Sequence, residues 1–155
     1  MSKVLVLGEA REGALRNVSF EAIAAGKKLG DEVIGLLVGD KVADLASELI
    51  AYGADRVITV EHPNLAHYTS DGYSQAVLAV VEQESPSAIV FGHTAVGKDL
   101  SPKVASRLQI GLVSDVTAIE GEGADAVFVR PIYSGKAFEK VKIAEGTVFV
   151  SIRPN

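Results

Sequence analysis

Residues 87–108 have the sequence SAIVFGHTAVGKDLSPKVASRL, and this stretch indicates the fold class. Its first part, SAIVFG, is a short apolar run that ends in glycine, a pattern typical of a buried strand in a parallel sheet. A loop follows, and a helix is predicted to begin with Ser101 as its N-cap and Pro102 as its first residue. A strand, a glycine-containing loop and a helix in this order form the repeating unit of α/β proteins.

The same unit occurs three more times before this stretch. KVLVLG at residues 3–8, EVIGLLVG at 32–39 and DRVITVE at 55–61 are predicted strands, and a segment with helical periodicity follows each of them. Such alternation favours a parallel sheet with helices on both faces. The expected fold class is therefore Rossmann-like α/β.

The pattern changes after Gly111. Residues 112–153 contain the short alternating runs LVSDVTAIEG, AVFVRPIYSG, KAFEKVKIA and TVFVSIR, which are joined by glycine-containing turns. Runs of this kind are typical of β-hairpins. We therefore expect the sheet to finish in antiparallel strands, within one domain that covers residues 1–155.

The composition excludes several classes of function. A net charge of -5 and a pI near 5.2 disfavour attachment to nucleic acid or to an anionic membrane. The chain has no Cys, and His62 and His67 have no partner at ligand spacing, so no metal site is expected. No apolar run reaches the roughly 18 residues of a membrane span and no signal sequence is recognised, which predicts a cytoplasmic or organelle-matrix protein.

The loop after the first predicted strand carries no recognised nucleotide motif. GEAREGAL, residues 8–15, lacks both the GxGxxG of dinucleotide folds and the GxxxxGK[ST] of a P-loop. Glu9 and Glu12 in this loop could act as a pair of carboxylates. A charged loop in solvent is the simpler interpretation of both residues.

The loop that begins at Gly92 is the best candidate site in the sequence. Its glycines permit tight backbone geometry, and the amides at the start of the following helix would attract an anion. The candidate anion or nucleotide loop contains Gly92, His93, Thr94, Gly97, Lys98, Asp99 and Ser101. From these residues alone, a turn that caps a helix is an equally good interpretation. A third hypothesis, in which His93 is an acid or base, lacks a visible partner residue.

A second polar segment, VRPIYSGK, covers residues 129–136. Arg130 and Tyr133 alternate there with apolar residues on a predicted strand, so both are candidates for a contact surface. An exposed strand before a hairpin turn is the alternative interpretation.

Three ordered blocks of the sequence resemble the alpha subunit of the electron transfer flavoprotein family. The blocks are G-x-T-A-x-G-x-D-L-x-P-x-x-A-x-x-L, a D-V segment and R-P-x-Y-x-G. The matched positions are Gly92, Thr94, Ala95, Gly97, Asp99, Leu100, Pro102, Ala105 and Leu108, then Asp115 and Val116, then Arg130, Pro131, Tyr133 and Gly135. KVLVLGEAREGAL and VSIRPN also lie where the family would place them, so the resemblance covers nearly the whole chain and about half of the family's subunit.

The resemblance implies a fold of the adenine nucleotide alpha hydrolase-like type and a non-enzymatic electron carrier. The complete heterodimer of alpha and beta subunits would carry electrons through FAD, from flavin dehydrogenases such as the acyl-CoA dehydrogenases of fatty acid β-oxidation to the respiratory chain. FAD would be bound mostly by a C-terminal domain beyond Asn155 and not by this fragment, and AMP by the beta subunit. This domain would supply the scaffold and subunit contacts, with Arg130 and Tyr133 as interface candidates, in the bacterial cytoplasm or the mitochondrial matrix.

The resemblance also lowers the expectation of a nucleotide at the Gly92 loop, which becomes a vestigial site. The alternative from another class is a stand-alone adenine-nucleotide-binding protein of the universal-stress or nucleotide-hydrolase type. Such a protein would use the same loop as an anion cradle.

Overall fold

The computed structural model describes residues 2–155. The helices are α1 (Asn17–Leu29), α2 (Ala46–Ala51), α3 (Ser70–Glu84) and α4 (Ala95–Leu108). The strands are β1 (Lys3–Leu7), β2 (Ala10–Arg11), β3 (Ala14–Leu15), β4 (Glu32–Gly39), β5 (Arg56–Glu61), β6 (Ala88–Gly92), β7 (Val113–Val116), β8 (Ala118–Glu120), β9 (Val127–Ile132), β10 (Ala137–Val141) and β11 (Val148–Ile152).

Six parallel strands form the main sheet, in the order β5-β4-β1-β6-β11-β7. Because side chains alternate along a strand, Val4 and Val6 of β1 face the layer that contains α1 and α2. Leu5 and Leu7 face the layer that contains α3 and α4. The predicted fold class, a parallel sheet with helices on both faces, is confirmed.

Antiparallel strands follow the fourth helix, as the sequence predicts, but they form a sheet of their own. β8, β9 and β10 make this small sheet, in which β9 and β10 are a hairpin. The main sheet itself continues in parallel fashion, because β11 pairs with β6 on one side and β7 on the other. Phe149 and Val150 of β11 are fully buried on opposite faces, as in a central parallel strand.

An ion-pair cluster lies at the opposite edge of the sheet from the strands' carboxyl ends. The buried carboxylate of Glu84, at the end of α3, pairs with Arg56 and with Lys3, whose Nζ is 3.4 Å away. Arg56 also bonds Glu32 at 3.0 Å. These contacts join the first residues of β1, β4 and β5 to α3, so the cluster serves stability.

Within residues 2–155, no helix combines the length and the apolar character that crossing a membrane requires.

Candidate functional site

The carboxyl ends of six parallel strands meet at one edge of the main sheet, where α/β proteins bind their ligands. The loop after β1 brings Glu9 to this edge, and the loop after β6 brings His93 and Thr94. Ser151 of β11 and Asp115 of β7 lie beside them. The structure therefore brings two residues of the predicted loop, His93 and Thr94, next to three polar residues from other parts of the chain.

Thr94 is the N-cap of α4, and the predicted cap at Ser101 is wrong. The N–H of Gly97 donates to Thr94 Oγ1 at 3.0 Å, and Thr94 has the extended backbone of a cap residue. Ser101 lies two turns further on, where its hydroxyl donates to the carbonyl of Gly97 at 2.6 Å. Ser101 followed by Pro102 resembles a helix start, but Pro102 is inside the helix and removes one backbone donor there.

The two glycines of the predicted loop allow protein segments to approach each other. A Cβ on Gly97 would lie 1.8 Å from the carbonyl oxygen of Gly92, an impossible overlap. A Cβ on Gly92 would lie 2.7 Å from Val18 of α1 and 3.1 Å from Glu9 Oε2. The space at both glycines is thus taken by the chain itself.

Glu9 is buried, so the interpretation of this residue as a solvated loop carboxylate is wrong. Its side chain is only 7% exposed. Oε2 accepts a 2.7 Å hydrogen bond from the hydroxyl of Thr94, and Oε1 lies 3.4 Å from Arg16 Nη1. Glu12, the other carboxylate of the loop, is exposed as expected.

The backbone of Glu9 is fixed as firmly as its side chain. Its N–H donates to Ser19 Oγ at 2.8 Å, and the Ser19 hydroxyl lies 3.2 Å from the Glu9 carbonyl. Burial raises the pKa of Glu9, although the hydrogen bond from Thr94 and the charge of Arg16 act in the opposite direction. Among residues 2–155, no buried side-chain nitrogen or oxygen lacks a hydrogen-bond partner, so the buried polar atoms of this crevice are already paired within the protein.

His93 belongs to a second cluster of polar residues at the same edge of the main sheet. Its Nδ1 lies 3.1 Å from Ser151 Oγ, which also accepts the N–H of Asp115 at 3.0 Å. A hydroxyl has one proton to donate and two lone pairs that accept, so the tautomer of His93 decides whether Ser151 donates to Nδ1 or accepts from it. Burial lowers the pKa of His93, which favours the neutral ring.

A surface cleft of about 490 Å³ continues from Asp115 to the hairpin of β9 and β10. Arg153 binds both oxygens of Asp115, at 2.7 and 2.6 Å, and lowers the pKa of that carboxyl. Arg130 donates to the carbonyl of Ser114 at 2.8 Å and to Glu139 at 2.6 Å. Both guanidinium groups are therefore held by protein partners.

The family model described as "Electron transfer flavoprotein domain" matches residues 4–155. The chain belongs to the electron transfer flavoprotein family. It is 59% identical over 155 residues to the electron transfer flavoprotein subunit alpha of Bacillus subtilis (strain 168), a match that covers 99% of this chain and 48% of that protein. The predicted resemblance to the N-terminal domain of the alpha subunit is confirmed.

Some relatives of this electron transfer flavoprotein domain have names other than electron transfer flavoprotein subunit alpha. The acryloyl-CoA reductase electron transfer subunit beta of Anaerotignum propionicum is 44% identical over 121 residues, which is 76% of this chain and 33% of that protein. The lactate dehydrogenase (NAD(+),ferredoxin) subunit LctC of Acetobacterium woodii is 35% identical over 141 residues, which is 88% of this chain and 34% of that protein. The chain spans about half the length of the alpha subunits it matches, and less of these two.

Only some residues of the predicted anion or nucleotide loop lie at the crevice of this family member. Gly92, Thr94 and Gly97 are buried at the crevice, whereas Lys98 and Asp99 are exposed on α4. Asp99 accepts a 2.5 Å hydrogen bond from the hydroxyl of Tyr68. The positive charge that the sequence suggested for an anion cradle is thus at the surface.

The sequence analysis did not identify Ser151, and it set Glu9 aside. Ser151 is a polar residue that interrupts the apolar run TVFVSIR. Because a buried polar side chain needs a hydrogen-bond partner, this interruption indicates a buried hydrogen bond at Ser151. Glu9 has no such signal, because its burial depends on the neighbouring strand β6.

Proposed function

We propose that this domain is the scaffold and subunit-contact part of an electron transfer flavoprotein alpha subunit. The complete heterodimer, formed with a beta subunit, carries electrons through FAD. A C-terminal domain of the alpha subunit holds most of the FAD, and the beta subunit holds AMP. The observation that carries this proposal is the family match over residues 4–155, together with a sheet edge whose buried polar side-chain atoms are all paired within the protein.

The geometry at the edge supports a role without catalysis in this domain. His93, Ser151 and Asp115 lie together as in a hydrolase, but Ser151 is fully buried and cannot reach a substrate. Asp115 does not orient the imidazole, since its carboxylate is bound on both oxygens by Arg153. A nucleophilic mechanism needs a serine that a substrate can reach, and Ser151 is not one.

The electron donors of the proposed heterodimer are flavin dehydrogenases, such as those that oxidise acyl-CoA in fatty acid β-oxidation, and the acceptor belongs to the respiratory chain. The names of two relatives, an acryloyl-CoA reductase subunit and a lactate dehydrogenase subunit, indicate that family members serve other redox reactions too. The proposed compartment is the bacterial cytoplasm or, in a eukaryote, the mitochondrial matrix.

The proposed contact surface for the beta subunit is the outer end of the β9 and β10 hairpin. Tyr133 is 78% exposed there and Phe138 is 62% exposed, and Arg130 lies on the same hairpin. Exposed aromatic side chains are among the residue types that protein interfaces favour. Ile132 and Ala137 are the last paired residues of the hairpin, next to Tyr133 and Phe138.

The interface can be tested by sedimentation of this chain with an electron transfer flavoprotein beta subunit. We expect a complex of one copy of each, and we expect Tyr133→Asn to weaken it at least about tenfold by loss of a central aromatic anchor. Asn is chosen because Tyr133 has a φ of 53°, which Asn tolerates. Tyr52→Asn is the matched control, because Tyr52 is an exposed tyrosine on another surface, stacked on Phe20. Equal binding by both variants would contradict the proposed surface.

A further inference from the structure

The direction in which the chain adds strands reverses between β1 and β6. From β1 the chain moves outward through β4 to β5, and it then returns to the other side of β1 with β6. In parallel sheets this reversal opens a crevice at the carboxyl ends of the two central strands, and phosphate-bearing ligands bind there. In this protein the two loops that border the crevice begin at Gly8 and His93.

The Glu9 carboxylate lies in this crevice. Its Oε2 accepts a hydrogen bond from Thr94, the N-cap of α4, at 2.7 Å and lies 3.1 Å from the position that a Cβ on Gly92 would take. A helix N-terminus and the residues around it attract a negative charge. Here the charge is supplied by the protein, and Arg16 provides the only basic group that pairs with it among the residues described.

The free volume beside Glu9 is small. A cleft of about 250 Å³ is lined by Gly8, Glu9, Tyr68, Tyr73 and Val96, among other residues. Sites for small molecules commonly have roughly 300–1,000 Å³. The cleft is thus below the usual size of a small-molecule site, and the Glu9 side chain forms part of its lining.

We propose that Glu9 is an internal anion that prevents phosphate-bearing ligands, nucleotides included, from binding at the crevice between β1 and β6. It acts in two ways: its side chain fills the space, and its charge repels a phosphate. A purely structural acceptor for the Thr94 hydroxyl could be neutral, and burying a carboxylate has a desolvation cost that a neutral amide avoids. A neutral acceptor at this position could bind the Thr94 hydroxyl, but it would not repel a phosphate as the Glu9 charge does.

The proposal predicts that removal of the Glu9 charge creates nucleotide affinity. Isothermal titration calorimetry with AMP and with inorganic phosphate is carried out on the wild-type chain, Glu9→Gln and Glu9→Ser. Gln keeps an acceptor oxygen for Thr94 at nearly constant volume, whereas Ser also opens space. We expect at least one variant to bind AMP at least about tenfold more tightly than the wild type.

Glu12→Gln is the matched control, because Glu12 is an exposed glutamate of the same loop. This control should bind AMP no better than the wild type. Thermal unfolding identifies the variants that are folded, and Gln is expected to be among them. The proposal is overturned if the folded variants gain less than about tenfold over the wild type, or if Glu12→Gln gains as much as they do. The test uses this chain alone, so its result is separate from that of the proposed subunit contact.

Discussion

The hydroxyl of Thr94 joins the two central loops of the sheet edge by donating to Glu9 Oε2 at 2.7 Å while its oxygen caps α4 through Gly97. One side chain therefore satisfies both a buried carboxylate and a helix N-terminus. Such a residue is costly to replace, because its loss leaves two buried polar groups without a partner.

Thr94→Val keeps the shape of the side chain and removes both hydrogen bonds. We expect the free energy of unfolding to fall by about 2 to 4 kcal/mol, from the lost cap and the unsatisfied carboxylate. Urea unfolding measures this change. Thr94→Ser retains the hydroxyl and should lose much less. A Val variant as stable as the Ser variant would contradict the assigned role.

Gly97→Ala tests whether α4 approaches the end of β6 as closely as the structure indicates. A methyl group there would overlap the carbonyl oxygen of Gly92, so the variant should lose about 3 kcal/mol or more, or fail to fold. Gly111→Ala is the control, because a Cβ at Gly111 has no neighbour within 4 Å. The control should change stability by less than about 1 kcal/mol, and it should be neutral or stabilising. Thermal unfolding compares the two.

The ion-pair cluster at the other edge predicts a pH dependence of stability. The hydrogen bond from Arg56 lowers the pKa of Glu84 from 4.5 to about 2. Because the folded pKa is depressed, the stabilisation is present above pH 4.5 and is lost as the pH falls from there toward 2. Glu84→Gln should therefore be less stable than the wild type at neutral pH, and the difference should shrink over that acidic range.

Urea unfolding at a series of pH values checks this prediction for Glu84. Glu120→Gln is a control, since Glu120 pairs with Lys140 on the exposed surface and such pairs contribute little. A difference between Glu84→Gln and the wild type that stays constant from neutral to acidic pH would show that the ionised carboxylate is not what stabilises the fold.

The burial of His93 predicts its protonation state. Nuclear magnetic resonance of the imidazole nitrogens should show a neutral ring at pH 7. Burial lowers the pKa of His93 below 6.5, so the ring should titrate below that value. Asp115→Asn should lower the pKa further, because the Asp115 charge acts to raise it. Titration above 6.5, or a higher pKa in the Asp115→Asn variant, would contradict this prediction.

The sequence was sufficient for the fold class because strand and helix periodicity alternate up to α4, and for the family because three motifs occur in order. It did not predict that β11 is parallel to β6, since alternation of side chains is the same in either orientation. It placed the helix cap at Ser101 because Ser-Pro is a common helix start, while the cap at Thr94 depends on a tight approach of Gly97 to Gly92. The burial of Glu9 depends on β6, which lies far away in the sequence.

This domain is proposed to be a required structural part of a flavin-containing heterodimer. The most direct test mixes this chain with a beta subunit of the family and with the C-terminal half of an alpha subunit expressed separately, followed by gel filtration and measurement of FAD absorbance in the complex. We expect one complex that contains all three polypeptides and FAD, and we expect flavin to be lost from it when this chain is omitted. A flavin-containing complex that forms equally well without this chain, or no flavin-containing complex when all three polypeptides are present, would contradict the account.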